Sequence, residues 1–568
     1  MKSNYKIKNF FSDFYFIINY FGIGKFLILS LFLVAVMALE VISIGLIIPV
    51  ISILQNENFY NDYLSYLYFL EDSSHLEKIY FTLIALCIIF FIKFCLSILL
   101  NFYQFKYSMN LQSSISKKLS TNYILMPYEK YFKILSSQIL RNVMIDSNRF
   151  ISGVLLPVIY LTSELLVIIG ICIILISQIG FSSLSVIIFL CLFGLIYIII
   201  TKKIIRKLGD TRSELDEKII QSSSEALKGI REIKVNRIEE IFLNFFKNLF
   251  NKYARVMSNF FTFQAVPRLG IEVIIVFFLA ATMFIFVKSG YESSKVISTL
   301  GLFGIAAIRL IPSINKIITS QQNIRFNFIA MQTISSDLKK IRIKSKQNKK
   351  DLTFKNKIEL KNLNFSYVNN KKVLKNLNLN INKGDRIGII GETGSGKSTL
   401  VDIISGLISS YSGKIFVDNI KFNTKKFIWG KDLGYVSQNS FLFNDSIKFN
   451  ITFDYATKSS DVYKILNIVE IEKFVRGLKS NLNATIGENA INLSGGQIQR
   501  IGIARALYHK PKILILDEAF SAMDLKTEKK ILKKIFLNFK NMTIINIAHK
   551  GQSLELCNKV YDLNKKKS

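Results

Sequence analysis

Six long apolar runs in the first 320 residues set the strongest limit on how this chain can fold. They cover residues 26–54, 80–100, 154–176, 181–200, 271–287 and 296–317. The first is 29 residues long and contains one charge, Glu40. At about 1.5 Å of helical rise per residue, it can cross a hydrocarbon layer of about 30 Å with tilt. One such run could be a buried core helix of a water-soluble protein. Six of them predict an α-helical membrane domain with six transmembrane helices.

Basic residues give the expected orientation, because Lys and Arg stay on the cytoplasmic side. The loop 55–79 has one Lys and five acids, whereas 103–153 holds Lys106, Lys117, Lys118, Lys130, Lys133, Arg141 and Arg149. The loop 201–268 is also basic, and the connection between the third and fourth spans has no charge. Both termini and the two long loops are therefore expected in the cytoplasm. A formal net charge of +34 would suggest nucleic acid in a soluble chain. Here it fits basic loops at an anionic membrane surface, with a share from the abundance of Lys, Ile, Asn and Phe that AT-rich codons produce. No nucleic-acid partner is expected.

Residues 9–20 read as a helix on the inner face and not as a removed signal peptide. The long loops have few breakers over 111–148 and 212–258, so they predict polar helices that continue out of the spans. Five Cys without a CxxC pair and three dispersed His exclude a disulfide framework and make zinc an unsuitable expectation.

Composition turns polar near residue 335. The expected division is a membrane domain over 1–335, a linker over 336–356 and a nucleotide-binding domain over 357–568. In the last part, short apolar strands alternate with helical patterns, which predicts an α/β domain. Gly391, Glu392, Thr393, Gly394, Ser395, Gly396, Lys397 and Ser398 fit G-x-x-x-x-G-K-[ST], after an apolar strand and before a helix that opens with Thr399. Glycines let backbone N–H groups approach phosphate oxygens, and a helix N-terminus favours negative charge. Lys397 is placed for the β/γ-phosphates and the Ser398 hydroxyl for Mg²⁺. About 120 residues on, the apolar run 513–516 ends in Asp517 and Glu518. Asp517 is placed to hold the magnesium shell, and Glu518 to polarise an attacking water.

The residues Leu493, Ser494, Gly495, Gly496 and Gln497 spell LSGGQ, 20 residues before Asp517. This resembles the signature of ABC-transporter ATPases, and the other motifs fall in that family's order. The resemblance implies that Tyr367 stacks on adenine and that Gln438 links magnesium to the membrane contacts. It implies that residues 521–524 form a loop crossing the dimer and that His549 senses the γ-phosphate. Lys550 stands where the family commonly has Arg. Gly487, Glu488, Asn489 and Ala490 keep only the first two residues of a usual Gly-Glu-Arg-Gly. Six spans followed by one P-loop ABC ATPase domain resemble an exporter-type half-transporter, which implies ATP and Mg²⁺ as cofactors and a second copy of the chain as partner. Residues 128–136 and 225–232 are then candidates for the segments that couple the two halves.

Charged residues within spans are costly and usually face a cavity. Glu40, Lys93, Glu164, Arg268, Glu272, Arg309 and Lys316 form this set. Arg309 and Lys316 are two helical turns apart and share a face. Lys93, Arg268, Arg309 and Lys316 are thus candidates for meeting an anion, although the acids are equally candidates for pairing with them. Aromatic residues Phe59, Tyr60, Tyr63, Tyr66, Tyr68 and Phe69 suggest an outer interfacial helix, read either as an anchor or as a contact for a lipid tail. The stretches 264–268, 309–320 and 443–451 resemble the bacterial lipid-linked oligosaccharide flippases of protein-glycosylation pathways (PglK type). That resemblance implies ATP-driven flipping of an anionic polyprenyl-pyrophosphate glycan across the bacterial inner membrane, with the ATPase domain in the cytoplasm. A multidrug or general lipid or polysaccharide exporter is the alternative within transport. An ATP-driven regulator that moves nothing is the alternative outside it.

Overall fold

The structure, a computed structural model, describes residues 7–46, 74–132, 134–179, 184–288, 293–340, 349–367, 372–424, 426–487, 493–547 and 552–564. The chain divides into two compact units. One comprises Met1–Met126 and Ile134–Arg342, the other Pro127–Lys133 and Ile343–Ser568.

The first unit is helical. Its main helices are α1 (Ile7–Phe21), α2 (Ile23–Gly45), α3 (His75–Ile124), α4 (Leu156–Ile179), α5 (Leu184–Lys228), α6 (Glu239–Lys288), α7 (Ser293–Phe326) and α8 (Phe328–Lys340). Among the described residues, five stretches are long and apolar enough to cross a membrane: Ile23–Ser43, Ile79–Ile124, Ser136–Ile174, Ile188–Lys228 and Glu239–Phe278. The expected sixth span falls within α7, where the side chains of residues 293–307 are outside the described set. A 50-residue helix such as α3 or α6 is about 75 Å long, far more than a bilayer core. The spans therefore do continue as polar helices.

Local chemistry sets several helix ends. Ser74 starts α3 with a capping box, its side chain accepting from the Glu77 N–H while the Glu77 carboxylate accepts from the Ser74 N–H. Asp13 of α1 is buried and accepts from Ser335 Oγ (2.7 Å) and Lys339 Nζ (2.6 Å) on α8, so the N-terminal helix has a protein partner. Two π-helical turns, Arg141–Asp146 and Ile151–Leu155, interrupt the helix leading into α4. Gly209 of α5 allows close packing against the end of α7, since a Cβ would stand 2.3 Å from Phe326 O.

The second unit contains an antiparallel and a parallel sheet. The first uses β1 (Lys357–Ser366), β2 (Lys372–Asn382), β3 (Ser412–Val417) and β4 (Ile420–Lys421), in the order β2-β1-β3-β4. The second uses five parallel strands, Lys559–Asp562, Arg386–Ile390, Thr543–Ile547, Ile513–Asp517 and Leu433–Val436, side by side in that order. Ile513–Asp517 and Thr543–Ile547 are buried at every position, as continuous apolar runs in a covered parallel sheet require. One core joins Ile387, Ile389, Leu400 and Ile515 to residues of the antiparallel sheet, and a second gathers Ile451, Val462, Leu466, Ile501 and Leu507 in a helical region. The expected linker is partly built into these units. Residues 336–340 end α8, Lys350–Asp351 pairs with Phe427–Ile428, and Leu352 and Phe354 are buried.

Candidate functional site

Three of the five parallel strands end with their carboxyl ends at one edge of the sheet, where the topology of open α/β sheets places ligands. Arg386–Ile390 leads into Gly391, Ile513–Asp517 ends on Asp517, and Leu433–Val436 stops two residues before Gln438. The sheet thus gathers residues separated by up to 126 positions in sequence. Gln438 Nε2 donates to Glu518 Oε2 at 2.7 Å, and Tyr435 Oη donates to Asp517 Oδ2 at 3.4 Å. Glu518 has φ +49°, and its N–H bonds to Ile547 O at 3.1 Å, which turns the chain sharply after the buried strand.

The phosphate loop is preformed. Gly391, Gly394 and Gly396 have φ of +155°, +83° and +103°, and the space a Cβ would fill at Gly394 is open. The Lys397 ammonium is buried and donates to Gly391 O (2.7 Å) and Glu392 O (3.1 Å), so it spans the loop. Ser395 Oγ is buried inside the loop and has no hydrogen-bond partner among the described residues. Glu392, Thr393 and Ser398 are exposed, and Thr399 is buried. These features fit a phosphate chain received by backbone N–H groups at the start of Lys397–Ile404. The hydroxyl, carboxylate and amide oxygens of Ser398, Asp517 and Gln438 suit a hard cation such as Mg²⁺. No group of three His, Cys, Asp or Glu side chains gathers among the described residues, so such an ion would rely on hydroxyl, amide and phosphate oxygens as well.

Electrostatics mark the same edge. Burial, with Glu518 adding to it, raises the Asp517 carboxyl above the usual range. Burial and Asp517 together push Asp402 up to about 6. Burial and then Asp517 raise the Tyr435 phenol. The site concentrates negative charge in partial desolvation, a setting that favours a cation.

Tyr367 is about half exposed and its hydroxyl lies 3.2 Å from Thr399 Oγ1. The Phe132 ring meets Tyr367 edge-on at 6.5 Å between centroids. Ser494 begins the helix Gly495–Tyr508 with a capping box: its N–H donates to Gln497 Oε1 (2.8 Å) and its Oγ accepts from Gln497 N–H (3.3 Å). Gly496 is required by crowding, since a Cβ would stand 2.9 Å from Ala522 O. His549, Lys550 and residues 488–490 lie outside the described residues, as does the aromatic segment 59–69.

The basic residues of the spans have carboxylate partners. Lys93 lies 3.7 Å from Glu40, Arg309 lies 2.6 Å from Glu40 and 3.5 Å from Glu164, and Lys316 lies 3.0 Å from Glu164. Arg268 pairs with Glu272 at 3.1 Å on an exposed helix face and is not brought to this cluster.

The family model for the ABC transporter transmembrane region matches residues 23–306, half of the chain, and that for the ABC transporter matches 374–521. The chain belongs to the ABC transporter family. A Rickettsia prowazekii protein named as an export ATP-binding/permease protein is 42% identical over 218 residues, 37% of each chain. The microcin-J25 export ATP-binding/permease protein of Escherichia coli is 36% identical over 212 residues, 36% of each chain. The alpha-hemolysin translocation ATP-binding protein of Escherichia coli O157:H7 is 40% identical over 206 residues, 36% of this chain and 29% of that one. The chain thus matches between 29% and 37% of the length of these curated relatives. A bacterial Atm1-family ABC exporter solved with ATP bound has the same fold, with TM-score 0.75, 18% identity and 93% coverage of both chains.

Other residues of this ABC transporter lie outside its motifs and bind neighbouring segments together. Gln499 donates to Ser521 Oγ (2.8 Å) and accepts from Ala522 N–H (3.0 Å), tying the LSGGQ helix to the loop 521–524. Asp524 in turn caps Leu525–Asn538 through the Thr527 N–H at 2.9 Å. Glu129, on the short helix Tyr128–Tyr131, accepts from the backbone N–H groups of Ser409 and Ser410.

Proposed function

We propose that the chain is one half of an ATP-driven exporter that works as a homodimer in the bacterial inner membrane, with its ATPase unit in the cytoplasm. The observation that carries the ATPase reading is the contact of Gln438 with Glu518 beside Asp517, at the mouth of the Lys397 loop. The loop amides and Lys397 bind the β- and γ-phosphates, and Tyr367 supports adenine. Glu518 orients the attacking water and accepts its proton, with Gln438 fixing its carboxylate and His549 meeting the γ-phosphate. Ser398, Asp517 and Gln438 would hold Mg²⁺, which neutralises phosphate charge when bound. Ser494–Gln497 of a second copy completes each site, because one chain supplies one P-loop and one LSGGQ.

The cargo we propose is a membrane lipid bearing an anionic head, specifically a polyprenyl-pyrophosphate glycan. Support comes from the span bases Lys93, Arg309 and Lys316, which outnumber their acidic partners, with exposed Arg268 as a further contact. Arg suits a pyrophosphate because its planar fork donates two bonds at once. The carboxylate partners of all four bases favour a second reading, a multidrug or general lipid or polysaccharide exporter. Mass spectrometry of lipids retained during mild purification separates the two. A retained polyprenyl-pyrophosphate glycan is the expected result, and retention of ordinary phospholipid alone would replace the first reading by the second.

A further inference from the structure

The span cluster is asymmetric. Glu40 on α2 and Glu164 on α4 are buried, 9% and 3% exposed. The side chains of Lys93, Arg309 and Lys316, on α3 and α7, are 23%, 28% and 44% exposed. The acids thus sit behind the bases. Arg309 is shared by both acids, and Glu164 also accepts from Ser313 Oγ at 2.8 Å. Lys316 Nζ stands 4.4 Å from the Tyr160 ring centroid. Among the described residues, three bases against two acids leave one positive charge in excess, and Arg309 Nε has no hydrogen-bond partner.

We infer that Glu40 and Glu164 are resident counter-ions of a cargo site, holding the bases when no cargo is present and competing with the anionic head when it is. The inference rests on the anionic-cargo reading and adds how that site is regulated. Buried charges without partners are strongly unfavourable, so a cationic pocket in a membrane needs carboxylates when empty. A doubly charged head can approach the exposed sides of Arg309 and Lys316 and draw them from the acids. Its affinity is then the difference between two sets of ion pairs, and the acids reclaim the bases as it leaves. The four helices that supply the cluster make this exchange a contact-by-contact change among α2, α3, α4 and α7.

The test uses full-length protein in mild detergent, with farnesyl pyrophosphate as probe and farnesol as its neutral control. Titration calorimetry should give about three- to tenfold tighter farnesyl pyrophosphate binding for Glu40→Gln and Glu164→Gln, with farnesol unchanged. Glu164→Asp, which keeps the charge, should stay near the parent. If a single Gln variant does not fold, the double variant Glu40→Gln/Lys93→Gln keeps the charge excess, frees Arg309 from Glu40 and should also bind more tightly. Equal or weaker pyrophosphate binding by the folded Gln variants would overturn the counter-ion role. Failure of the anionic-cargo reading looks different: the parent itself would bind farnesyl pyrophosphate no better than farnesol, and Arg309→Ala would change neither.

Discussion

Glu518 follows Asp517 directly, and its carboxylate accepts from the Gln438 amide at 2.7 Å. Glu518→Gln keeps the shape and removes the base. It should retain ATP affinity and lose about 10²- to 10⁴-fold in hydrolysis, measured as phosphate release alongside nucleotide binding. Parental turnover would remove Glu518 from the catalytic role. Lys397→Ala takes away the ammonium that spans the loop and should abolish detectable nucleotide binding at concentrations that saturate the parent. At this scale the Gly391–Ser398 loop is legible in the sequence as a turn before a helix, because positive φ at Gly394 and Gly396 favours glycine there. Gln499 and Tyr435 are not, since their meaning lies in contacts with Ser521 and Asp517 that only folding creates.

Among the elements, the helix Gly495–Tyr508 depends on its first turn. Ser494→Ala removes one arm of the capping box and costs about 1 kcal/mol locally. Hydrogen exchange at Gln497 should accelerate about fivefold while the strand Ile513–Asp517 stays protected; unchanged exchange at Gln497 would show the cap to be idle. Glu129→Ala similarly strips an acceptor from the Ser409 and Ser410 amides, whose exchange should rise. The long helices α3, α5 and α6 were readable in advance because residues with few breakers simply continue the spans. The π-helical turns at Arg141–Asp146 and Ile151–Leu155 were not, because local propensity does not distinguish a π-turn from an α-turn. Polar composition over 336–356 hides Leu352 and Phe354, whose burial depends on tertiary packing.

The whole molecule joins a unit with membrane-length helices to a unit with a nucleotide site, and one chain carries a single copy of each half-site. Mixing Lys397→Ala chains with Ser494→Arg chains should therefore restore hydrolysis that neither has alone, because a mixed dimer assembles one intact pair. Inactivity of the mixture, despite dimers detected by cross-tag capture, would argue against sites shared between copies. Hydrolysis at the Lys397–Glu518 site should drive movement of an amphiphile across the membrane. Its most direct test is vesicles containing the full chain and a fluorescent polyprenyl-pyrophosphate glycan, with translocation and phosphate release followed together. The parent should translocate the lipid in an ATP-dependent way, and Glu518→Gln should move none at saturating ATP. Phosphate release by the parent without any movement of the lipid, or equal movement by Glu518→Gln, would contradict this coupling.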